Sequence, residues 1–276
     1  MDSAPGPSPV HCPTTKAIPL AAGWRIVHSS MLLAFDHVSF RYGRKTPVFN
    51  DFSLRIDEQA TVLLGPNGAG KSTLMAIAAS HLPPSSGSVT FNGGTAKGRH
   101  LATYRESVAW IPQQITPMPG LTVREQVAYA GWLKGMPKDS AWKASEDALR
   151  RVDLTRLAER KSHQVSGGQL RRMGIAGALT HRSELILMDE PTAGLDPTQR
   201  LVFRELVDDL AGSVQVIVST HQTEDLADLY THVVVLAHGK ICFQGSPADF
   251  HALAPNATHG REQAEAAYVM LVGREI

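Results

Sequence analysis

The chain has 276 residues, 43% of them hydrophobic and 19% charged, with a formal net charge of +1, enough to bury one large core or a core with a subdomain. No basic or acidic block stands out, so nothing in the charge pattern suggests a nucleic-acid surface. Cys12 and Cys242 are far apart and lack metal-type spacing, which argues against a disulfide framework or zinc site and for a reducing, intracellular setting.

Residues 1–30 carry five prolines in the first nineteen positions and no periodic apolar face, so this extension is expected to be disordered. It lacks the charged start and long apolar run of a secretory signal. Met31 immediately precedes the first strand-like run, LLAFDHVSF, and the folded part is expected to begin there. Further strands are predicted over 52–56, over TVLL at 61–64, and over SGSVTF before a Gly-rich turn at 86–94. TVLL is apolar enough to be a central strand covered on both faces. After it, LMAIAASHL reads as a helix that stops at Pro83-Pro84.

A helical region is predicted over roughly 114–180. Thr122 and Glu125 have capping-box spacing at the head of LTVREQVAYAGWLKG. Trp142, Ala148, Leu149 and Val152 fall on one face of a second helix, and LRRMGIAGALT continues as a third. Then LILMD at 185–189, VQVIVS at 214–219 and VVVL at 233–236 are continuous apolar runs, the pattern of parallel strands in an α/β layer. Strands 61–64, 185–189 and 214–219 are expected in one sheet. No apolar stretch approaches the ~18–20 residues that span a bilayer. Residues 251–276 read as a C-terminal tail able to form one helix or strand.

GPNGAGKST places Gly65, Pro66, Asn67, Gly68, Ala69, Gly70, Lys71, Ser72 and Thr73 between an apolar strand and a helix, the setting a phosphate loop requires. Successive backbone N–H groups cradle phosphate oxygens there, and the helix N-terminus adds positive potential. Lys71 can reach the β and γ phosphates, and the Ser72 hydroxyl can ligate Mg²⁺. In LILMDE, Asp189 ends a buried strand, placed to hold the water shell of the Mg²⁺, and Glu190 follows, placed to polarise an attacking water. Phosphoryl transfer needs aligned water, a metal and positive charge, with little covalent chemistry from the protein. Ser166, Gly167 and Gly168 open another helix with small side chains, a second anion site in principle. Two such sites at opposite ends of a helical insertion suggest that two chains meet head to tail, each closing the other's nucleotide.

VSGGQ at 165–169, with GPNGAGKST before it and LILMDEPTAGLDP after it, resembles the ATP-binding cassette family, specifically the ATPase subunit of an ABC transporter. The likeness runs from about Met31 to about Phe250, which defines the expected domain as 31–250. It implies an α/β fold: a P-loop NTPase core sheet, an antiparallel β subdomain and an inserted α-helical subdomain. It also implies that Tyr42, with Phe40 as a possible substitute, stacks on adenine. Gln113, with Gln114 as the weaker candidate, would touch Mg²⁺ and sense the γ-phosphate. Ser166, Gly167, Gly168 and Gln169 would contact the partner subunit's ATP, Asp196 would couple the two sites, and His221 would hold the γ-phosphate. Val165 departs from the usual leucine at a position that packs and does not touch phosphate.

The resemblance implies ATP and Mg²⁺ as ligands, a homodimer, separate transmembrane permease subunits, no nucleic acid, and a peripheral place on the cytoplasmic face of the cell membrane. QITPMPGLTVREQVAYAGWLKGM is rich in apolar and aromatic residues; in the family this surface receives a short cytoplasmic helix of the membrane subunit. YAGWLKG and STHQTEDLADL resemble bacterial exporters, so export is expected over import. The competing classes are soluble cassette proteins of DNA or ribosome function and an accessory ATPase of metal-cluster assembly. No sustained heptads and no second cassette accompany the first two.

Overall fold

The computed structural model describes residues 31–43, 46–225, 229–255, 257 and 260–273; the expectations for residues 1–30 and for Cys12 lie outside these. In chain order the elements are β1 (Leu33–Tyr42), β2 (Thr46–Ile56), β3 (Ala60–Leu64), α1 (Lys71–Ala78), β4 (Ser86–Phe91), β5 (Gly94–Thr95), α2 (Leu101–Ser107) and β6 (Val108–Ile111). Then come α3 (Val123–Leu133), α4 (Lys138–Arg151), α5 (Gly167–Thr180), β7 (Leu185–Asp189), α6 (Pro197–Ala211) and β8 (Gln215–Thr220). The chain closes with β9 (His232–Ala237), β10 (Lys240–Gly245), α7 (Pro247–Ala252) and α8 (Gly260–Val272).

Two sheets form. The first is antiparallel, in the order β2-β1-β4-β5, and the second runs β10-β9-β3-β8-β7-β6. In the second, β9, β3, β8, β7 and β6 are parallel and β10 adds an antiparallel edge. The three strands expected together do share this sheet, as β3, β8 and β7. Alternation explains why their runs are apolar throughout. Val62 and Leu64 enter one core cluster while Leu63 enters the other, and Ile186 and Met188 face away from Leu185 and Leu187. Both faces of the sheet are therefore covered, and a period-two polar pattern has nowhere to appear. Among the buried polar residues of this sheet, Gln215 donates from Nε2 to the carbonyls of Met31, Ile56 and Glu58, which ties β8 to the first sheet.

The chain between β6 and β7 contains α3, α4 and α5, which pack on one another. Thr122 caps α3 in the expected capping box with Glu125. Two local expectations need correction. Helix α1 ends at Ala78, ahead of Pro83-Pro84, because Ser80 takes a left-handed φ of 57° and turns the chain first. Trp142 does not join the buried face of α4, which is built by Ala141, Ser145, Ala148 and Leu149. The ring is 40% exposed, with the Arg124 guanidinium 4.2 Å from its centroid. Toward the C-terminus, α8 buries Ala264, Ala267 and Val272 in the main core, so this helix packs with the rest of the domain.

Candidate functional site

The phosphate loop joins the C-terminal end of β3 to α1. Gly70 precedes the helix at φ 104°, and no side chain caps its first N–H groups; uncapped donors at a helix start are available to an anion. Gly65 is fixed by a close approach: a Cβ there would lie 2.2 Å from the Leu236 carbonyl oxygen of β9. Lys71 is 5% exposed and folds back over the loop, donating from Nζ to the carbonyls of Gly65 at 2.7 Å and Pro66 at 3.1 Å. Burial pulls its ammonium below the ordinary lysine range, outweighing the nearby Glu190 and Asp189 carboxylates that act the other way. Ser72 is exposed beside it.

Parallel register brings the other groups to the same edge. Asp189, at the end of β7, pairs with Ser219 of β8, and the Ser219 hydroxyl donates to Asp189 Oδ1 at 2.5 Å. Glu190 follows in the left-handed region, at φ 44°, a conformation that an L side chain adopts at an energetic penalty. Its N–H is held by both the carbonyl and the hydroxyl of Ser219, at 3.0 and 3.1 Å. So aimed, its carboxylate lies 3.7 Å from Lys71 Nζ and 3.1 Å from His221 Nδ1, and it accepts from Gln113 Nε2 at 3.3 Å. Gln113, and not Gln114, is the residue that reaches Glu190. Lys71, Asp189, Glu190, His221 and Gln113 thus converge from four segments of the chain.

Of the two candidate aromatics, Phe40 is buried, whereas Tyr42 is 52% exposed, packs edge-on against Phe40 and shares a 3.2 Å hydrogen bond with Thr73 of α1. Tyr42 is therefore the one able to offer a ring face beside the phosphate loop.

Ser166, Gly167, Gly168 and Gln169 form a separate group at the start of α5. Ser166 and Gln169 cap each other, and Gly168 backs onto the side chains of Gln199 and Leu195. Asp196 adjoins them as the N-cap of α6, accepting from the Gln199 N–H at 2.9 Å. The sequence reading missed two residues here. Ser219 carries only a weak signal, a hydroxyl at the end of a buried strand; its role depends on β7–β8 register. Arg171 donates to the Gln113 carbonyl at 3.2 Å and to the Ala193 carbonyl at 2.7 Å, contacts that no local pattern announces.

A cleft of about 480 Å³ lies between α3 and α5 on one side and α2 and β6 on the other. Its lining includes His81, Arg105, Trp110, Leu133, Lys134 and His181. On α3, Trp132 is 51% and Leu133 60% exposed, and the Tyr129 and Trp132 rings lie 5.4 Å apart. Lys134 and His181 brace the end of α2, at the carbonyls of Arg105 and Val108 and of Glu106 respectively. Burial pulls Lys134 down to about 8. Burial and then the Lys134 charge push His181 down to about 4.

Among the described residues no helix is long and apolar enough to cross a membrane. The profile of the ABC transporter family matches residues 49–193. The chain is 35% identical over 220 residues to the linearmycin resistance ATP-binding protein LnrL of Bacillus subtilis, covering 79% of this chain and 70% of that one. It is 32% identical over 232 residues to the phosphonates import ATP-binding protein PhnC 1 of a Ruegeria species, covering 79% and 90%. Further relatives carry the names of cobalt import and energy-coupling factor transporter ATP-binding proteins. A solved structure of an ATP-binding subunit of an ABC transporter superimposes with a TM-score of 0.74 at 25% identity, covering 87% of this chain and 99% of that one.

Proposed function

This chain belongs to the ABC transporter family, and from that premise we propose that two copies close head to tail around two ATP molecules to drive movement of a substrate through a membrane subunit. Membership carries the coarser facts: the chain binds ATP, its hydrolysis is coupled to transport, and ATPases of this family act beside separate transmembrane components. The observation that supports the finer reading is the convergence of Lys71, Gln113, Asp189, Glu190 and His221 before an uncapped helix start.

In this reading the loop from Gly65 to Thr73 wraps the phosphates and Tyr42 covers the adenine. Glu190 orients the attacking water and draws its proton. His221 and Lys71 then offset charge on the equatorial oxygens of the transferring group. Mg²⁺ would be held by the Ser72 hydroxyl, the Gln113 amide and, through water, the Asp189 carboxylate. These hard oxygen donors suit a small cation that retains waters and phosphate oxygens. When bound, the ion neutralises charge on the phosphates. Ser166, Gly167, Gly168 and Gln169 present their helix start to the partner's nucleotide, and Asp196 lies between the two sites. The cassette comprises 31–250, with its helical subdomain over about 114–180, and α8 packs onto its core. The surface of α3 that carries Tyr129 and Trp132 takes a short helix of the membrane subunit, so the chain sits peripherally on the cytoplasmic face.

Export is the favoured direction, supported by the resistance protein among the relatives. Import is the second reading, favoured by the several import proteins. Glu190→Gln separates binding from hydrolysis: the substituted chain should elute as a dimer with ATP and as a monomer with ADP. Hydrolysis at the wild-type rate would remove Glu190 from the base role. Capture of the partner from native membranes, followed by reconstitution in vesicles, reads the direction of transport.

A further inference from the structure

Arg171 belongs to neither of the two groups of polar residues, yet it lies on the helix that one group opens and bonds the backbone of the other. It rises from α5 just after the first turn, whose backbone Ser166 and Gln169 lock by reciprocal capping. One guanidinium nitrogen donates to the Gln113 carbonyl and the other to the Ala193 carbonyl. Gln113 in turn donates to Glu190, and the Ala193 N–H donates to the Glu190 carbonyl at 3.2 Å. The loop continues through Leu195 to Asp196, which caps α6 beside Gly168. The Glu190 carboxylate also acts on Arg171 electrostatically, opposing the burial that lowers its pKa.

A guanidinium is a rigid planar fork, so it holds two carbonyls at a fixed separation; an ammonium is a point charge that cannot. Displacement of Gln113 or of the loop after Glu190 therefore pulls on a helix start that is already stiffened by its cap. The strain has a short path, two hydrogen bonds and one turn of helix.

We infer that Arg171 is a positioning residue that couples this chain's own Glu190 site to the Ser166–Gln169 helix start it presents to a partner. The inference rests on the head-to-tail dimer proposed above. Its consequence is that each chain's offer to the opposite nucleotide depends on the state of its own. Arg171 acts through Gln113, Ala193 and the N-terminal part of α5.

Mixed dimers carrying two different affinity tags test this. One chain carries Glu190→Gln, so only the site built from the unmodified chain's Glu190 and the modified chain's α5 can turn over. Adding Arg171→Met to that same Glu190→Gln chain should lower kcat at the remaining site at least tenfold. Arg171→Lys, which retains the charge, should fail to restore more than a small part. ATP affinity of each purified chain, read with a fluorescent ATP analogue, should stay within twofold, which separates positioning from misfolding. An unchanged kcat with either substitution would overturn the coupling and confine Arg171 to its own site. Absence of any ATP-dependent dimer in the Glu190→Gln chain would overturn the dimer reading and this inference together.

Discussion

Ser219→Ala removes one oxygen from a fully buried position and tests whether β8 organises the acidic end of β7. The hydroxyl donates to Asp189 Oδ1 at 2.5 Å and accepts from the Glu190 N–H at 3.1 Å. A hydrogen bond to an ionised group contributes about 1.5–3 kcal/mol net. The Glu190 N–H retains the Ser219 carbonyl at 3.0 Å, so its share of the loss is small. Asp189, 4% exposed, has little water to replace the missing donor. The expected destabilisation is therefore about 1.5–3 kcal/mol, a fall in melting temperature of roughly 3–12 °C for a domain of this size. Because the same hydroxyl steers Glu190, kcat should also fall on the order of tenfold, equivalent to about 1.4 kcal/mol in the transition state. Melting by scanning fluorimetry with and without nucleotide, together with a phosphate-release assay, reads both. A melting temperature within 1 °C of the parent, by an ordinary ~0.5 kcal/mol surface-substitution standard, would refute the claim that this serine holds the carboxylate pair.

The left-handed Glu190 separates chemistry from conformation: Glu190→Gly and Glu190→Ala should both abolish hydrolysis, but the glycine variant should be the more stable by about 0.5–1 kcal/mol, since only glycine adopts φ 44° freely. Equal melting curves would show that the loop relaxes around either residue. His181, held at about 4 against an ordinary 6.5, binds its proton more readily when unfolded, so the folded state loses stability as pH falls from 6.5 toward 4. His181→Gln should flatten that part of the stability profile, and an unaltered profile would contradict the burial argument. Gly65→Ala forces a Cβ against the Leu236 carbonyl oxygen; destabilisation of about 1–3 kcal/mol and lost ATP binding are expected by melting and by analogue titration. Trp132→Glu, at a ring 51% exposed, should leave basal hydrolysis by the free chain intact and uncouple transport in the complex; unchanged transport would count against this surface of α3 as the docking site.

The glycine-rich loop, the end of β7 and the capping box of α3 are legible in the sequence because each depends on neighbours within a few residues. Lys71 follows Gly70 at a helix start, Asp189 ends an apolar run, and Thr122 and Glu125 meet one turn apart; backbone geometry then does the rest. The misreadings share a different origin. Apolar character alone places Trp142 on a face that α4 gives to Ala141, Ser145, Ala148 and Leu149, while the ring instead meets the Arg124 guanidinium. Ser219 and Arg171 were passed over because their partners lie in other elements: Asp189, 30 residues away, through parallel register, and Gln113, 58 residues away, across the start of the helical region. Both act on Glu190 without being part of any phosphate-binding pattern. Serine donates to the preceding carboxylate and fixes the strained backbone that follows; arginine carries the position of that loop to α5. The groups proposed to meet phosphate thus belong to local patterns, while the contacts that set where they point emerge only once the parallel sheet has brought β7, β8 and α5 together.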